Sequence, residues 1–362
     1  MPGRVSFRET GHRLLAARPG RERVCAVRSL WMWKYCFWAA ALMNCALFVP
    51  HLFGEKELPE TTLPAEEVVE SVAILPPGEV DGSYSIRVLD GDAVKEMTMA
   101  EYLRGVVRAE MPAAFEQEAL CAQAVAARTY TLYKIASGGS HGDTADICTD
   151  PACCQAYLEE SAAAANWGIG ADRYAAKIKN AVAATDGQTV TYGGAPILAV
   201  FHSSAAGRTR PSGEVWSSDL PYLQSVESPE DADGTPNYCS RTEVDAEAFR
   251  ETFLAAHPEA VFSDDPETWI GDAVITSGMH VDTLTVGGVT VRGVEMRKLY
   301  SLRSAAFETE VQDGKIVFHV TGYGHGVGMS QYGANAMAAE GANWEEIILH
   351  YYTGVTIETR GG

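Results

Sequence analysis

A single glutamate, Glu110, stands where the sequence predicts that one helix ends and the next is about to begin. Residues 101–134 indicate two helices broken at Met111-Pro112, because proline disfavours helical geometry in the residue before it. The Glu110 carboxylate therefore lies at a helix C-terminus, where the macrodipole disfavours negative charge. A carboxylic acid that keeps its proton is suited to general acid catalysis. Taken alone, the pattern also fits a solvated glutamate at a frayed helix end.

The glycine-rich stretch GYGHGVGMSQYGA, residues 322–334, is the strongest local irregularity in the chain. Its five glycines exclude a regular strand or helix, so this backbone adopts conformations closed to other residues or approaches another group closely. It lacks the ending of a phosphate-binding P-loop and the dinucleotide-binding spacing. The glycines surround His325 and lead to Ser330, Gln331 and Tyr332 at a predicted helix start, which indicates a ligand-binding floor.

A second polar cluster, FHSSAAGRT at residues 201–209, follows a predicted buried strand. His202 and Ser203 do not form a nucleophile and base, since neighbours on a strand point to opposite faces. The Gly-x-Ser-x-Gly nucleophile elbow is also missing. We interpret His202, Ser203 and Arg208 as a substrate-binding edge.

Four potential metal ligands, His141, Cys148, Cys153 and Cys154, lie within fourteen residues. Thiolate and imidazole ligands suit zinc, although the spacing is not that of a standard zinc finger. A Cys148–Cys154 disulfide is the alternative for a protein outside the cytoplasm. We favour a structural zinc ion that fixes this loop, because nothing indicates the open coordination position of a catalytic zinc.

The elements that position these residues are predicted to form an α+β fold, with helices first and hairpins later. Hairpin turns are expected at the following dipeptides: Asp90-Gly91, Gly193-Gly194, Gly287-Gly288 and Asp313-Gly314. Helices are expected at 158–184, 293–300, 331–339 and 343–352. The predicted order is a helical part with the break at Glu110, a hairpin-rich β part, and C-terminal helices.

The charge is unevenly distributed along the 362 residues, whose formal net charge is −20. Residues 1–34 contain eight basic and two acidic residues, a net of +6, which leaves −26 for the remainder. An acidic body repels phosphate, so nucleic acid is excluded as a partner. The composition is compatible with an extracytoplasmic protein that acts on neutral or mixed-charge material.

An apolar segment at 35–53 is long enough to span a bilayer as a helix. The basic segment 1–34 before it predicts a cytoplasmic N-terminus, and a start at Met32 would give a shorter, more ordinary anchor. No clear cleavage site is evident, so an uncleaved single-pass anchor is favoured over a signal peptide. The acidic, proline-rich residues 54–82 are expected to form a linker to an extracytoplasmic domain at 83–358.

Three separated segments resemble the stage II sporulation protein D family of endospore-forming bacteria: GVVRAEMPAAFEQEALCAQAVAARTY, FHSSAAGRT and GYGHGVGMSQYGA. The resemblance covers roughly residues 85–357. It implies a membrane-anchored lytic transglycosylase that cuts peptidoglycan glycan strands between N-acetylmuramic acid and N-acetylglucosamine during forespore engulfment. It also implies peptide-stripped strands as substrate, and as partners a cell-wall amidase and a further membrane protein, in the space between mother cell and forespore.

Carried over by position, the resemblance implies that Glu110 is the catalytic acid and base and that Arg128 is important for activity, as a substrate-binding residue. It places the family's zinc ligands at His141, Cys148 and Cys154, and leaves Cys153 open as a further ligand. An ordinary glycosidase needs two carboxylates, whereas a transglycosylase can use one, because the muramyl 6-hydroxyl is the nucleophile. Three further acids are candidates for a second carboxylate: Glu118, Glu214 and Asp219.

Two alternative functions are open at this point. Relatives of this domain include amidase enhancers, so the Glu110 region could form a glycan cleft that binds without cutting and stimulates a partner amidase. A zinc hydrolase centred on His141 and the cysteines is the other alternative. The products made from peptide-free glycan distinguish all three.

Overall fold

Helices and small sheets share the chain, which confirms the predicted α+β class. A computed structural model describes residues 73–76, 78–276 and 278–360. The helices are Glu79–Ser83 (α1), Met99–Glu110 (α2), Gln117–Ala136 (α3), Glu160–Trp167 (α4), Ala171–Ala184 (α5), Ser212–Val215 (α6), Ala246–Ala256 (α7), Gly293–Leu299 (α8), Gln331–Ala339 (α9) and Trp344–Tyr351 (α10), with 3₁₀ turns at Gly168–Gly170 and Pro266–Thr268.

The strands are short and form several separate small sheets. They are Ser85–Asp90 (β1), Ala93–Thr98 (β2), Ile147–Cys148 (β3), Gln188–Tyr192 (β4), Ala195–Pro196 (β5), Phe201–His202 (β6), Cys239–Asp245 (β7), Ile270–Ile275 (β8), Val281–Val286 (β9), Val289–Arg292 (β10), Ala306–Gln312 (β11), Lys315–Thr321 (β12), Met329–Ser330 (β13) and Thr356–Thr359 (β14). The sheet orders are β2-β1-β3, β10-β9-β8, β11-β12-β7, β13-β6 and β14-β4-β5.

Helix α3 is the centre of the first hydrophobic core, which we call the helical lobe. Five of its alanines are fully buried and let α2, α5, α9 and α10 pack close to it: Ala119, Ala122, Ala124, Ala126 and Ala127. Helix α2 begins at a capping box, in which the Glu101 N–H donates to Thr98 Oγ1 at 3.2 Å and the Thr98 N–H donates to the Glu101 carboxylate at 2.8 Å.

A second hydrophobic core, built from residues 249–320, forms what we call the β lobe. It is dominated by aromatic rings, with Phe249 stacked on Tyr300 at 4.6 Å between ring centroids. Phe253, Trp269 and Phe318 lie within 6.3 Å of Phe249. Sheets β11-β12-β7 and β10-β9-β8 hold these rings in place. The two lobes belong to one compact unit.

Most of the predicted turns and helices are present, and the differences have local causes. The hairpins at Asp90-Gly91, Gly287-Gly288 and Asp313-Gly314 are confirmed. At Gly193-Gly194 the second strand is only Ala195–Pro196, since proline lacks the N–H that a longer ladder needs. The helix predicted at 158–184 is divided at Gly168, whose φ of +56° ends α4.

The folded part begins before residue 83, where the sequence placed the end of the linker. Helix α1 begins within the predicted linker, and its Asp81 is buried. The predicted basic segment at 1–34 and anchor at 35–53 lie outside the described residues. Among the residues that are described, no helix has the length and apolar character needed to cross a membrane.

Candidate active site

Glu110 is the last residue of α2, as the proline pattern predicts. Met111 leaves the helix with φ −121° and ψ 143°, and its N–H donates to the Val107 carbonyl at 3.1 Å. The Met111 side chain is buried, which holds the chain close to the body as it turns. The helix end therefore fixes the direction in which the Glu110 side chain leaves the backbone.

The Glu110 carboxyl is half-buried and receives two hydrogen bonds from neutral donors. The Ala156 N–H donates to Glu110 Oε1 at 2.9 Å, and the Gln331 side chain donates to the same carboxyl group. Burial raises the pKa of Glu110, and the hydrogen bonds from Ala156 and Gln331 lower it without cancelling the rise. The result is a protonatable carboxyl group in a fixed position.

Gln331 is held in place from two sides at the N-terminus of α9. On one side the Ser330 hydroxyl caps the helix by accepting from the Gly333 N–H at 3.2 Å. On the other side the Gln331 amide donates to Gln123 Oε1 at 3.5 Å. Gln123 lies on α3 and is fully buried, so it is a fixed partner inside the core.

A buried carboxylate, Glu230, ties the start of α9 to the rest of the helical lobe. It accepts hydrogen bonds from the Ser330 and Ser228 hydroxyls and from the Ala205 N–H, the last at 2.6 Å. Glu230 was missed in the sequence, because it lies in a loop among several acids and has no local pattern. Gln123 was missed as well, since it occurs in an alanine-rich run that predicts only packing.

The 201–209 segment and the glycine-rich loop meet as the short parallel pair β6 and β13, in which His202 is opposite Ser330. The Tyr332 N–H donates to the Ser203 carbonyl at 3.0 Å, so the two predicted binding segments adjoin at the start of α9. Gly328 has φ +71°, and a Cβ there would lie 2.1 Å from the Val200 carbonyl oxygen. The glycines thus permit the close approach that the sequence predicts.

The two histidines are largely internal groups rather than free ligands. His202 is buried, and its Nδ1–H donates to the Val327 carbonyl at 3.2 Å, since a carbonyl only accepts. Burial lowers the pKa of His202 well below its usual range, and the nearby His325 adds to this. Burial, followed by the charge of Arg297, lowers the pKa of His325 to about 4. Both imidazoles are therefore neutral at physiological pH.

Tyr332 and Arg208 are partly exposed side chains of these two segments. The Tyr332 ring lies edge-on to Phe115, with ring centroids 4.9 Å apart, next to the turn that follows Glu110. Arg208 is partly exposed and forms an ion pair with Glu227 at 3.2 Å. Of the predicted substrate-binding residues, Gln331 contacts Glu110, and Tyr332 is the residue that follows it.

Arg128 is placed differently from the predicted substrate contact. Its guanidinium is 1% exposed and forms a bidentate ion pair with Asp81 of α1, with Nε to Oδ1 at 2.9 Å. It also donates to the Gln188 carbonyl at 3.1 Å. Arg128 therefore anchors the N-terminal helix to the core in this structure and presents no surface to a substrate. The sequence did not reveal this because Asp81 lies in a segment predicted to be a linker.

The predicted metal ligands come together, and all four candidates take part. The ligand atoms of His141, Cys148, Cys153 and Cys154 lie within 4.8 Å of one another, so the cluster can hold a metal ion. Cys153 Sγ is 3.7 Å from both His141 Nε2 and Cys154 Sγ. A tetrahedral site with metal–sulfur bonds of about 2.3 Å has ligand atoms about 3.7 Å apart, which these two separations match. The cysteines are free thiols, not the alternative disulfide.

This metal-binding loop leads directly to the Glu110 carboxyl. Cys154 is two residues before Ala156, whose N–H donates to Glu110. Between them, Gln155 is buried and its amide donates to Thr131 Oγ1 on α3 at 3.1 Å. The loop is thus fixed at the thiol cluster and at α3, immediately next to the donor that orients the carboxyl.

Comparisons with known proteins point to one family. The SpoIID family profile, described as Stage II sporulation protein, matches residues 90–192. Stage II sporulation protein D of Bacillus amyloliquefaciens is 37% identical over 266 residues, which are 73% of this chain and 75% of the relative. The protein of the same name from Bacillus subtilis (strain 168) is 36% identical over 73% and 76% of the two chains.

A more distant relative carries a different name. The amidase enhancer of Bacillus subtilis (strain 168) is 30% identical over 70% of this chain and 40% of its own length. The two similarities to stage II sporulation protein D exceed it in identity and cover most of both chains. The chain belongs to the stage II sporulation protein D family.

Proposed function

We propose that the protein is a lytic transglycosylase that cleaves the glycan strands of peptidoglycan, with Glu110 as its acid and base. The observation that carries this proposal is the setting of Glu110, a half-buried carboxyl with a raised pKa whose partners are both neutral. Burial keeps a fraction of the group protonated, as an acid requires. The two donors stabilise the carboxylate that remains after the proton has left.

A mechanism with one carboxyl group matches the contacts of two of the other acids considered. Glu118 accepts a hydrogen bond from the Trp344 N–H at 2.9 Å and so holds the start of α10. Glu214 pairs with the buried Arg210 at 3.4 Å. Both acids are thus held in structural contacts of their own. An inverting or retaining hydrolase needs a second carboxylate across the scissile bond.

The proposed reaction moves one proton out of Glu110 and one back in. Glu110 protonates the glycosidic oxygen as the bond from that oxygen to the muramyl anomeric carbon breaks. The muramyl 6-hydroxyl oxygen then bonds to the anomeric carbon, and its proton passes to the Glu110 carboxylate. The products are a 1,6-anhydromuramyl end and a free 4-hydroxyl on N-acetylglucosamine. Water takes no part, and the enzyme returns to its starting state.

Mass spectrometry of digested, peptide-free glycan tests this function. We expect anhydromuramyl ends from the native protein, and a loss of about 100-fold or more in their rate of formation for Glu110→Gln. Glu118→Gln is the matched control and retains cleavage. Reducing ends in place of anhydro ends, or near-normal cleavage by Glu110→Gln, contradict the proposal.

Loss of activity in Glu110→Gln is expected without loss of the fold. Because the folded-state pKa of Glu110 lies above its unfolded value, the folded protein binds more protons at intermediate pH. The contribution of Glu110 to the free energy of unfolding of the wild type therefore falls as pH rises between the unfolded and folded pKa values. An uncharged glutamine removes the cost of burying the ionised carboxylate. Denaturation at neutral pH should show Glu110→Gln at least as stable as the wild type.

We further propose that the ion held by His141, Cys148, Cys153 and Cys154 is a structural zinc. Three thiolates and an imidazole are a complete tetrahedral ligand set, so no position is left for a catalytic water. Bound zinc would fix the loop that ends at Ala156, and the chemistry stays with Glu110. Elemental analysis of purified protein should find one zinc per chain, and Cys153→Ser should lower its retention.

A non-catalytic enhancer of a cell-wall amidase is the second candidate, supported by the 30% identity to the amidase enhancer. The same digestion separates the two, because an enhancer leaves strands intact while a partner amidase turns over faster. We further propose that the predicted 35–53 anchor holds the protein in the cell membrane, with its domain in the space between mother cell and forespore during engulfment. An amidase that strips stem peptides and a further membrane protein are its proposed partners.

A further inference from the structure

The turn that follows Glu110 forms one wall of a cavity that the proposed reaction does not use. The cavity has a volume of about 400 Å³ and is lined by Ala114, Gln117, Arg173, Tyr174 and Lys177. We propose that this cavity is a subsite for a carboxylate-bearing sugar ring of the glycan. The proposal rests on the proposed function only in naming the glycan as the ligand.

Two cations on one face of α5 give the cavity a charge opposite to that of the protein as a whole. Arg173 and Lys177 are four residues apart and so project to the same side of the helix. Among the described residues, neither has a carboxylate at ion-pair distance. The Lys177 ammonium is half-buried and donates to the carbonyls of Ala114, at 3.4 Å, and Phe115.

The desolvation of Lys177 makes an anionic ligand favourable here. Burial lowers the pKa of Lys177, and Glu116 opposes this only in part. A partly desolvated ammonium without a carboxylate partner gains more from an incoming anion than a fully hydrated one does. The chain has a net charge of −20, so cations free of a carboxylate partner beside a cavity are unlike the surrounding surface.

An aromatic wall completes the features expected of a sugar site. The Tyr174 ring packs against Trp167, with centroids 5.7 Å apart, and the Arg173 guanidinium lies 5.1 Å from the Tyr174 ring centre. A Cβ on Gly170 would lie 2.8 Å from Tyr174, so a glycine there makes room for the ring. Aromatic faces with a few fixed polar groups are typical of small-molecule pockets, and here the polar groups are cationic.

The cavity is connected to Glu110 through the turn at residues 111–116. Phe115 of this turn packs against Tyr332, which follows the Gln331 that hydrogen-bonds Glu110. A glycan strand is a polymer, so a ring bound at the cavity places other rings of the same strand along this turn. A muramic acid without its stem peptide has a free lactyl carboxylate, whereas the peptide-bearing form has an uncharged amide. Arg173 and Lys177 would therefore favour peptide-stripped strands.

Calorimetric binding to two glycans in a Glu110→Gln background tests this subsite without turnover. The ligands are peptide-free peptidoglycan strands and a chito-oligosaccharide of equal length, which has no lactyl carboxylate. We expect Arg173→Gln/Lys177→Gln to bind the acidic glycan about five- to tenfold more weakly, as two partly screened ion pairs would predict. Binding of the neutral glycan should stay within about twofold, because it carries no carboxylate with which Arg173 or Lys177 could form an ion pair.

Lys179→Gln is the matched control, because it removes a charge from the same helix where Lys179 pairs with Glu160. It should change neither affinity. The preference for the acidic glycan should also fall as salt is raised. Equal loss for both glycans, or no preference in the parent protein, overturns the subsite. Anhydro ends made by the native protein are scored separately, so failure of the subsite is distinguishable from failure of the transglycosylase assignment.

Discussion

The helical lobe and the β lobe differ in the residue types that fill their interiors. The β lobe is filled with stacked aromatic rings around Phe249. The helical lobe packs small alanines around α3 and also encloses polar groups, among them Gln123, Arg128 and Glu230. All the residues predicted for catalysis, binding or metal belong to the helical lobe or to the segments joined to it at β6, β13 and α9.

This difference shows which lobe carries the free-energy cost of burying these polar groups. A buried amide or charge is costly unless its hydrogen bonds are made, and each bond then has a defined direction. Apolar packing fills space without such directional constraint. Gln123 and Glu230 therefore fix the start of α9, and with it the Gln331 contact to Glu110, more strictly than aromatic packing would.

The largest expected effect comes from breaking the buried ion pair of the helical lobe. Arg128→Met leaves Asp81 buried without its partner, and we expect a loss of about 3–5 kcal/mol in the free energy of unfolding. Chemical denaturation measures it. The double variant Arg128→Met/Asp81→Leu should recover most of the loss. A stable Arg128→Met variant that fails to bind glycan would instead indicate that Arg128 contacts the substrate.

An intermediate effect is expected from Gln331, which donates to the Glu110 carboxyl. Gln331→Leu removes a hydrogen bond that lowers the pKa of Glu110, so that pKa should rise further. Because the acid step requires protonated Glu110, the alkaline fall of kcat/KM should move to higher pH. The maximal rate should drop about tenfold, as for one hydrogen bond to a charged group. Gln331→Asn keeps the amide donor on a side chain that is one methylene shorter. An unmoved pH profile and a normal rate in this variant would show that the length of the side chain does not matter for the hydrogen bond to Glu110.

The smallest effect is expected in the β lobe. Ile316→Val removes one methylene group from a fully buried side chain and should cost about 0.5–1.5 kcal/mol. The pH profile and the rate per folded molecule should match the wild type, because no β-lobe group contacts Glu110 among the described residues. A shifted pH profile in this variant would show that packing in the β lobe does influence Glu110.

Local patterns were sufficient for the features that local chemistry determines. Pro112 ends α2 at Glu110, and the Asp-Gly and Gly-Gly turns define three hairpins, because these depend on a few adjacent residues. The close clustering of His141 with the cysteines was likewise visible as short spacing. The resemblance to a family added the role proposed for Glu110, which the pattern alone left undecided.

The remaining features depend on contacts between distant residues and had no local signal. Asp81 lies in an acidic, proline-rich stretch, and only its contact with Arg128, 47 residues away, turns that stretch into part of the core. Glu230 resembles the acids around it until Ser330, 100 residues later, donates to it. Periodicity and turn chemistry describe neighbours along the chain and cannot reveal such pairs.

The hydrogen bonds of Glu110 also determine when the site can exist during synthesis. One donor, Ala156, lies 46 residues after Glu110, and the other, Gln331, lies 221 residues after it. Such high contact order places these pairings late in folding. A nascent chain that ends at Thr321 contains every β-lobe strand but lacks β13, α9 and the Gln331 amide. The proposed active site is therefore complete only when the C-terminal segment has emerged, after the rest of the chain.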